Sequence, residues 1–264
     1  MVTWRNSTGR PLASDDWLAA HHRAKRRERH DFAKRLAQSK PDRVVDLGCA
    51  TGLWLETLHA TMPQTCEFIG LDSDPASLAI ARERATCWKR KTAFELCDLD
   101  SEHAAIPDAD LTLIFNMFSY LSDPTELLGY LADRANSGIV AIRQYDGAAL
   151  RFGPMDTGSR KIIETSLYVS LAASQQFQYY DMDRAFSAIN AAPFCHRSVE
   201  FELFARTSPF SADFLEYYEG TMNWTLQLIS PDAAQLLREW QNGITTSIDG
   251  DRYFFEVDLV AMLS

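Results

Sequence analysis

Three acids recur through the first hundred residues, each beside a short apolar run. They are Asp46 in VVDLGCATG (residues 44–52), Asp72 in GLDSD (70–74) and Asp98 in CDLD (97–100). Asp46 stands two residues before a turn built from Gly48, Ala50 and Gly52. Glycines let a backbone approach a ligand closely, and a helix starting after such a turn offers free N–H groups. Dinucleotide sites use G-x-G-x-x-G. Here position 53 is leucine and the third glycine of that pattern is absent. An acid placed just before the turn suits a ligand with a cationic amine rather than a pyrophosphate.

A second constellation lies in IRQYDGAALRFGP, residues 142–154. It offers Gln144, an acid (Asp146), a phenol (Tyr145) and a cation (Arg151), a set able to bind a polar small molecule. Tyr145 and Asp146 are the candidate catalytic groups. The bland alternative is a turn, since Asp-Gly signals one by itself. Residues 175–183 mix aromatics and acids, so Tyr179 and Tyr180 are candidate pocket walls or half-buried packing; Phe118 and Tyr120 are read the same way. The basic run HHRAKRRERH, residues 21–30, is either a solvated helix face or a source of one cation, Arg23, for an anionic ligand group.

These residues need elements to hold them. Asp15 to Ala37 has a helical pattern that Pro41 stops. Short apolar strands are expected at 44–47, 67–71, 92–97, 111–117 and 139–144. Between them, helices begin after Gly52 and at Asp74-Pro75 and Asp123-Pro124, where Asp caps and Pro takes the first helical position. Strands alternating with helices imply βαβ units around a parallel sheet, and the continuous LTLIF run implies one covered on both faces. Residues 147–196 show no clear strand and read as helical at 159–177 and 182–192. Period-two alternation predicts strands at 198–205 and near the C-terminus, with helices over 212–228 and 231–240 between them. Tyr217 and Trp224, in the first of these, read as core.

The four motifs in register resemble the class I S-adenosylmethionine-dependent methyltransferases. VVDLGCATG is similar to their D-x-G-x-G-x-G turn, with alanine for the middle glycine. The resemblance covers residues 40–146. It implies a seven-stranded, mostly parallel, doubly wound Rossmann-like sheet, with its last strand antiparallel between the fifth and sixth. It implies S-adenosyl-L-methionine as cofactor and S-adenosyl-L-homocysteine as product. Asp46, Gly48, Ala50 and Gly52 would meet the cofactor's amino-acid end, and Asp72, with Ser73 beside it, the ribose hydroxyls. Asp98 and Leu99 would meet the adenine, while Asn116 and Met117 follow the fourth strand. Such families often fold an N-terminal helix over the site. That makes His21 and His22 candidate bases and lets Trp4 and Trp17 close the cavity.

One methyltransferase domain is expected, divided into a helical lid (1–40), a cofactor-binding core (41–146), a helical cap (147–197) and final strands and helices (198–264). The net charge of −10 disfavours nucleic acid as a partner. No run of eighteen apolar residues suggests a membrane span, and the N-terminal segment lacks a signal-peptide core. Five cysteines without a CxxC pair suggest free thiols, a cytoplasmic setting and no metal site. The expected acceptor is therefore a small molecule, methylated on O, N or C, within a monomer or homodimer. The residues N-M-F-S after the fourth strand are not the N-P-P-Y motif of planar-amine methylation. An RNA- or protein-directed enzyme and a non-catalytic cofactor-binding module are the alternatives. A nicotinamide dehydrogenase is disfavoured by the missing glycine.

Overall fold

All five residues of the strand Leu111–Phe115 are buried, as a sheet covered on both faces requires. The structure, a computed structural model, describes residues 13–134, 138–245 and 251–264; Trp4 lies outside the described residues. Seven strands form one sheet. They are β1 (Arg43–Leu47), β2 (Glu67–Asp72), β3 (Thr92–Leu96), β4 (Leu111–Phe115), β5 (Ile139–Gly153), β6 (Arg197–Thr207) and β7 (Tyr253–Leu263). Their order is β3-β2-β1-β4-β5-β7-β6. The β1–β5 pairings are parallel, and β7 inserts antiparallel between β5 and β6. The strand order reverses at β1, between β2 and β4. In open α/β sheets, ligands bind at that crevice, beyond the C-terminal strand ends.

Helices α3 (Leu53–His59), α4 (Pro75–Arg84) and α5 (Pro124–Arg134) connect the parallel strands. Asp74 caps α4 by accepting the Ala76 and Ser77 N–H groups, with Pro75 at its first position. After β5 come α6 (Thr157–Ala173) and α7 (Met182–Ala191), and between β6 and β7 come α8 (Ala212–Leu228) and α9 (Pro231–Thr245). One apolar core lies between the sheet and α5 and α7, a second on the face of α3 and α4. A third joins α6, α8 and α9 to the outer ends of β5 and β7.

Two elements differ from expectation. The strand at 139 does not end at Gln144 but continues to Gly153, pairing with β7 on both sides of an irregularity between Tyr145 and Leu150. The Asp-Gly signal is realised inside that strand: Asp146 Oδ1 accepts the Ala148 and Ala149 N–H groups, and Oδ2 that of Met182. A local Asx turn thus makes a bulge rather than a loop.

The single N-terminal helix is two, α1 (Asp15–Ala24) and α2 (Arg26–Ala37), broken at Lys25. Neither glycine nor proline marks the break; tertiary contacts hold it. Lys25 is 2% exposed and is ion-paired with Glu256 and, at 3.2 Å, with Asp258, both on β7. Arg143 on β5 adds ion pairs to Asp258 and Glu202, each at 2.8 Å. The basic run is therefore not simply a solvated face. His21, Lys25 and Arg29, at four-residue spacing, are buried, whereas Arg23 pairs with Glu216 near the surface.

Removing one member of a buried ion pair strands the other's charge, at about 3–5 kcal/mol. Lys25→Met should lower unfolding free energy by about that amount in urea denaturation, whereas Arg23→Met, at a half-exposed pair, should change it by less than about 1 kcal/mol.

Candidate active site

A cavity of about 370 Å³ opens at the C-terminal ends of β1, β2, β4 and β5, with α1 lying across it. Its floor is the glycine turn. Gly48, Ala50 and Gly52 have φ of +75°, +45° and +75°, the left-handed region that glycine enters without steric cost. A Cβ on Gly48 would lie 2.5 Å from Met117 Cγ, so the turn is packed against the tip of β4. The Gly48 and Cys49 N–H groups both donate to the Leu71 carbonyl. Asp72 then ties the turn to the next strand: its carboxylate accepts the Ala50 N–H at 2.8 Å and the Asp74 N–H at 2.9 Å.

Asp46 is buried beneath this turn, and its Oδ2 has no hydrogen-bond partner among the described residues. Burial first, and the neighbouring Asp72 second, push its carboxyl up to about 8. Asp72 is also shifted upward by burial, against the N–H groups it accepts. Ser73, Asp98 and Leu99 line the adjoining wall. Asn116 carries φ of +54°, an uncommon conformation for a non-glycine residue and one that clusters at functional sites. Its side-chain carbonyl accepts the Tyr145 N–H at 2.8 Å, locking the tips of β4 and β5 together.

Helix α1 supplies Trp17, Leu18, His21 and His22. Trp17 packs against Gly220 of α8, where a Cβ would meet the indole at 2.5 Å. The His21 ring stacks on Tyr217 at 4.9 Å. Burial, followed by nearby cations, holds both histidines well below the ordinary imidazole range, so both are neutral at pH 7. Tyr120 and Tyr180 meet through their hydroxyls at 2.5 Å and close one side of the cavity with Gln176, Phe177 and Trp224.

The cavity thus gathers Asp46, Gly48, Ala50, Asp72, Ser73, Asp98, Leu99, Asn116, Met117, Tyr120, Tyr145, Tyr180, His21, His22 and Trp17 from the residues singled out in the sequence. Others lie elsewhere. Gly52 is the N-cap of α3 and packs towards Ala81. Asp146 is occupied with the bulge described above. Phe118 is in the core beside α5 and α7. Gln144 is buried and donates to Ser119 Oγ. Arg151 pairs with Glu164 of α6 at 2.7 Å. Tyr179 faces the Arg184 guanidinium at 4.3 Å, and Arg23 is held by Glu216.

Arg29, Trp54, Tyr217 and Trp224 line the cavity without having been read as site residues. Arg29 is buried, its guanidinium lies 5.1 Å from the centre of the Trp54 ring, and its Nη1 has no hydrogen-bond partner among the described residues. Burial lowers it to about 9. The signal for it was present: residues 21, 25 and 29 form one helical stripe, and Glu256 and Asp258 alternate on one strand face.

Residues 44–137 match the sequence profile of a methyltransferase-domain family. That stretch is similar to methyltransferase domains. A trans-aconitate 2-methyltransferase from Methylobacterium nodulans is 35% identical over 136 residues, half of this chain and half of that protein. The chain thus spans about half the length of the curated relative it matches. The YcgJ protein of Bacillus subtilis superposes with a TM-score of 0.52 at 11% identity, covering 89% of this chain and 97% of that one. A Nostoc punctiforme protein, named as a candidate O-methyltransferase, gives a TM-score of 0.50 at 16% identity over 74% of this chain and 59% of that one. These likenesses are of fold alone. Among the described residues, no helix is long and apolar enough to cross a membrane, and no cluster of metal-ligating side chains occurs.

Asp72 is both a cavity acid and a brace. Asp72→Ala leaves the Ala50 N–H of the turn and the Asp74 N–H at the entry of α4 unpaired, so it should cost about 1–3 kcal/mol in urea denaturation. Ser73→Ala, at the same wall, should cost less than about 0.5 kcal/mol.

Proposed function

We propose that this chain binds S-adenosylmethionine in the cavity and transfers its methyl group to a small molecule. The observation that carries the reading is a pair of buried, opposite, unpartnered groups in one cavity. Asp46 has an orphaned oxygen and Arg29 an orphaned Nη1, and both line the same space. A zwitterionic amino-acid moiety satisfies both, its ammonium at Asp46 and its carboxylate at Arg29. Asp72 has spent one lone pair of each oxygen on backbone N–H groups and keeps acceptor capacity for two ribose hydroxyls. Asp98 and Leu99 bound the wall where the adenine would lie.

When bound, the cofactor supplies an electrophilic sulfonium methyl. The protein's part is positioning. The tips of β4 and β5, fixed to each other through Asn116 and Tyr145, hold the edge of the cavity, and α1 covers it.

Several features support a small acceptor. The cavity is roofed by α1, and the basic run that might have met a nucleic acid is partly turned inward on β7. Trans-aconitate 2-methyltransferase, by its name a small-molecule enzyme, is among the relatives. Cys49, Cys66 and Cys97 are buried thiols and Cys87 and Cys195 exposed ones, which suits a cytoplasmic setting.

Calorimetric titration of the protein with S-adenosylmethionine, and separately with NAD, tests the cofactor. Micromolar binding of the first alone is expected, and binding of NAD alone would overturn the reading. In the free protein Asp46 is largely protonated below pH 8, and a cationic amine beside it requires the carboxylate. Binding should release a proton near pH 7, so affinity should weaken as pH falls from 8 to 6, by up to about tenfold per unit. Above pH 8 the ligand's own α-amine, of ordinary pKa about 8, loses its charge. The tightest binding should lie near pH 8, with a titration enthalpy that changes with the buffer's ionisation enthalpy. Arg29→Met should weaken binding about 10- to 100-fold; unchanged affinity would remove Arg29 from the cofactor's end.

A further inference from the structure

The part of the cavity beyond the glycine turn differs in kind from the floor. It is walled by Trp17, Tyr145, Phe177, Tyr180, Tyr217 and Trp224. The cations nearest to it are committed: Lys25 to Glu256 and Asp258, and Arg143 to Asp258 and Glu202. Arg29 answers the cofactor's carboxylate in the reading above. Among the described residues, this wall therefore has no uncommitted cation for an acidic acceptor.

It does have an imidazole. His21 reaches the cavity, and Tyr145, at the tip of β5, lies 6.3 Å away between ring centres. Its Nε2 is sealed from solvent without a hydrogen-bond partner and faces Glu256 Oε1 at 3.8 Å. The other Glu256 oxygen accepts the Tyr217 hydroxyl at 2.5 Å, and Tyr217 is the ring on which His21 stacks. Glu256 lies on the Nε2 side of the ring, outside hydrogen-bond distance, and its negative charge favours the tautomer protonated there, which leaves Nδ1 as the acceptor.

We propose that the methyl acceptor is a planar, uncharged aromatic hydroxyl compound, and that His21 is the general base that takes its proton. The proposal rests on the cofactor reading above. The acceptor ring stacks among the aromatic walls. In the transfer, the acceptor oxygen's electron pair forms the new C–O bond as the donor's C–S⁺ bond breaks, its electrons leaving a neutral thioether. The hydroxyl proton passes to His21 Nδ1 and thence to solvent. Glu256 is a positioning residue. A carboxylic acid acceptor, by contrast, is already ionised at neutral pH; it needs a cation and no base. The name of the trans-aconitate relative thus does not carry over to this wall.

The groups that set the proton affinity of His21 come from every side: His22, Lys25 and Arg29 from the N-terminal helices and their joint, Arg143 and Tyr145 from β5, Tyr217 from α8, and Glu256 and Asp258 from β7. The cations and burial keep it unprotonated, the state a base requires.

The test uses the full chain. Binding of S-adenosylmethionine is measured first, by calorimetry; its failure would overturn the cofactor reading and this proposal with it. With S-adenosylhomocysteine saturating, 2-naphthol, 2-methoxynaphthalene and 2-naphthoate are then titrated. The naphthol should bind about tenfold more tightly than its methyl ether, and the naphthoate more weakly than either. His21→Ala should erase the naphthol's advantage while leaving cofactor affinity unchanged. With radiolabelled cofactor, wild type should methylate naphthols, and His21→Ala should lower kcat about 10²- to 10⁴-fold. That deficit should shrink for 4-nitrophenol, which ionises without help. Glu256→Gln, where it folds, should move the acid limb of kcat to lower pH by removing a negative charge beside the imidazole. Preferred binding or methylation of the naphthoate would overturn the proposal. So would an unchanged naphthol preference in His21→Ala, or cofactor binding without naphthol binding; in each case the cofactor reading survives.

Discussion

The ion-paired cluster between the N-terminal helices and β7 is the constraint on which the site depends. Lys25 is drawn out of the helical path to reach Glu256 and Asp258, and that contact fixes where α1 lies. Through α1 it fixes Trp17, His21 and His22 over the cavity. Burying such charges is expensive, and a well-packed apolar replacement is often as stable. What an apolar contact would not supply is direction. The cluster aligns one side of a helix with alternate residues of one strand, so the roof can sit in only one register. It also leaves Arg29 facing the cavity with an unpartnered nitrogen, a charge that the fold has already desolvated before any ligand arrives.

The same economy runs through the floor. Asp72 organises the glycine turn through the Ala50 N–H and the next helix entry through the Asp74 N–H, and its remaining lone pairs face the cavity. Asn116 holds Tyr145 in the same manner. Asp72 and Asn116 are thus structural braces as well as cavity residues, so their positions are set before binding. Rigidity of this sort lowers the ordering cost of association. Asp46 differs, since its carboxyl is forced upward by burial and by Asp72. In the free protein protonation relieves that strain at neutral pH, and a cationic group beside the carboxyl would favour its ionised form instead. For this carboxyl alone, stability of the unliganded fold is greatest below about pH 4 and declines as pH rises towards 8.

Most of the parallel half of the fold was legible because its signals are local. Asp-Pro helix starts, continuous apolar strands and the glycine turn declare themselves within ten residues, and the cavity acids follow from strand ends. The errors lie where distant residues decide. Asp146-Gly147 is a turn signal, but pairing with β7 across more than a hundred residues of sequence converts it into a bulge within a longer strand. The N-terminal helix carries an unbroken helical pattern, and its break at Lys25 depends on carboxylates 231 and 233 residues later. Arg23 and Arg29 are chemically identical in the sequence. Only the fold shows that one is tied to Glu216 at the surface and the other is buried at the cavity.

The aromatic residues make the same point from the other side. Tyr217 and Trp224 satisfy every criterion for core residues, and Tyr217 is indeed fully buried. Yet both also line the cavity, because α8 packs between the third core and α1. A residue in that position serves two surfaces: its inner edge fills the core, while its face or tip borders the ligand space. Hydrophobic periodicity reports the first role and is silent about the second. Tyr217 carries the consequence furthest. Its hydroxyl is fixed by Glu256, its ring supports His21, and its backbone belongs to the helix on which Trp17 rests. One aromatic side chain therefore transmits the geometry of the buried charges to the imidazole, which is how a stability device at the end of the sheet becomes a determinant of the chemistry in the cavity.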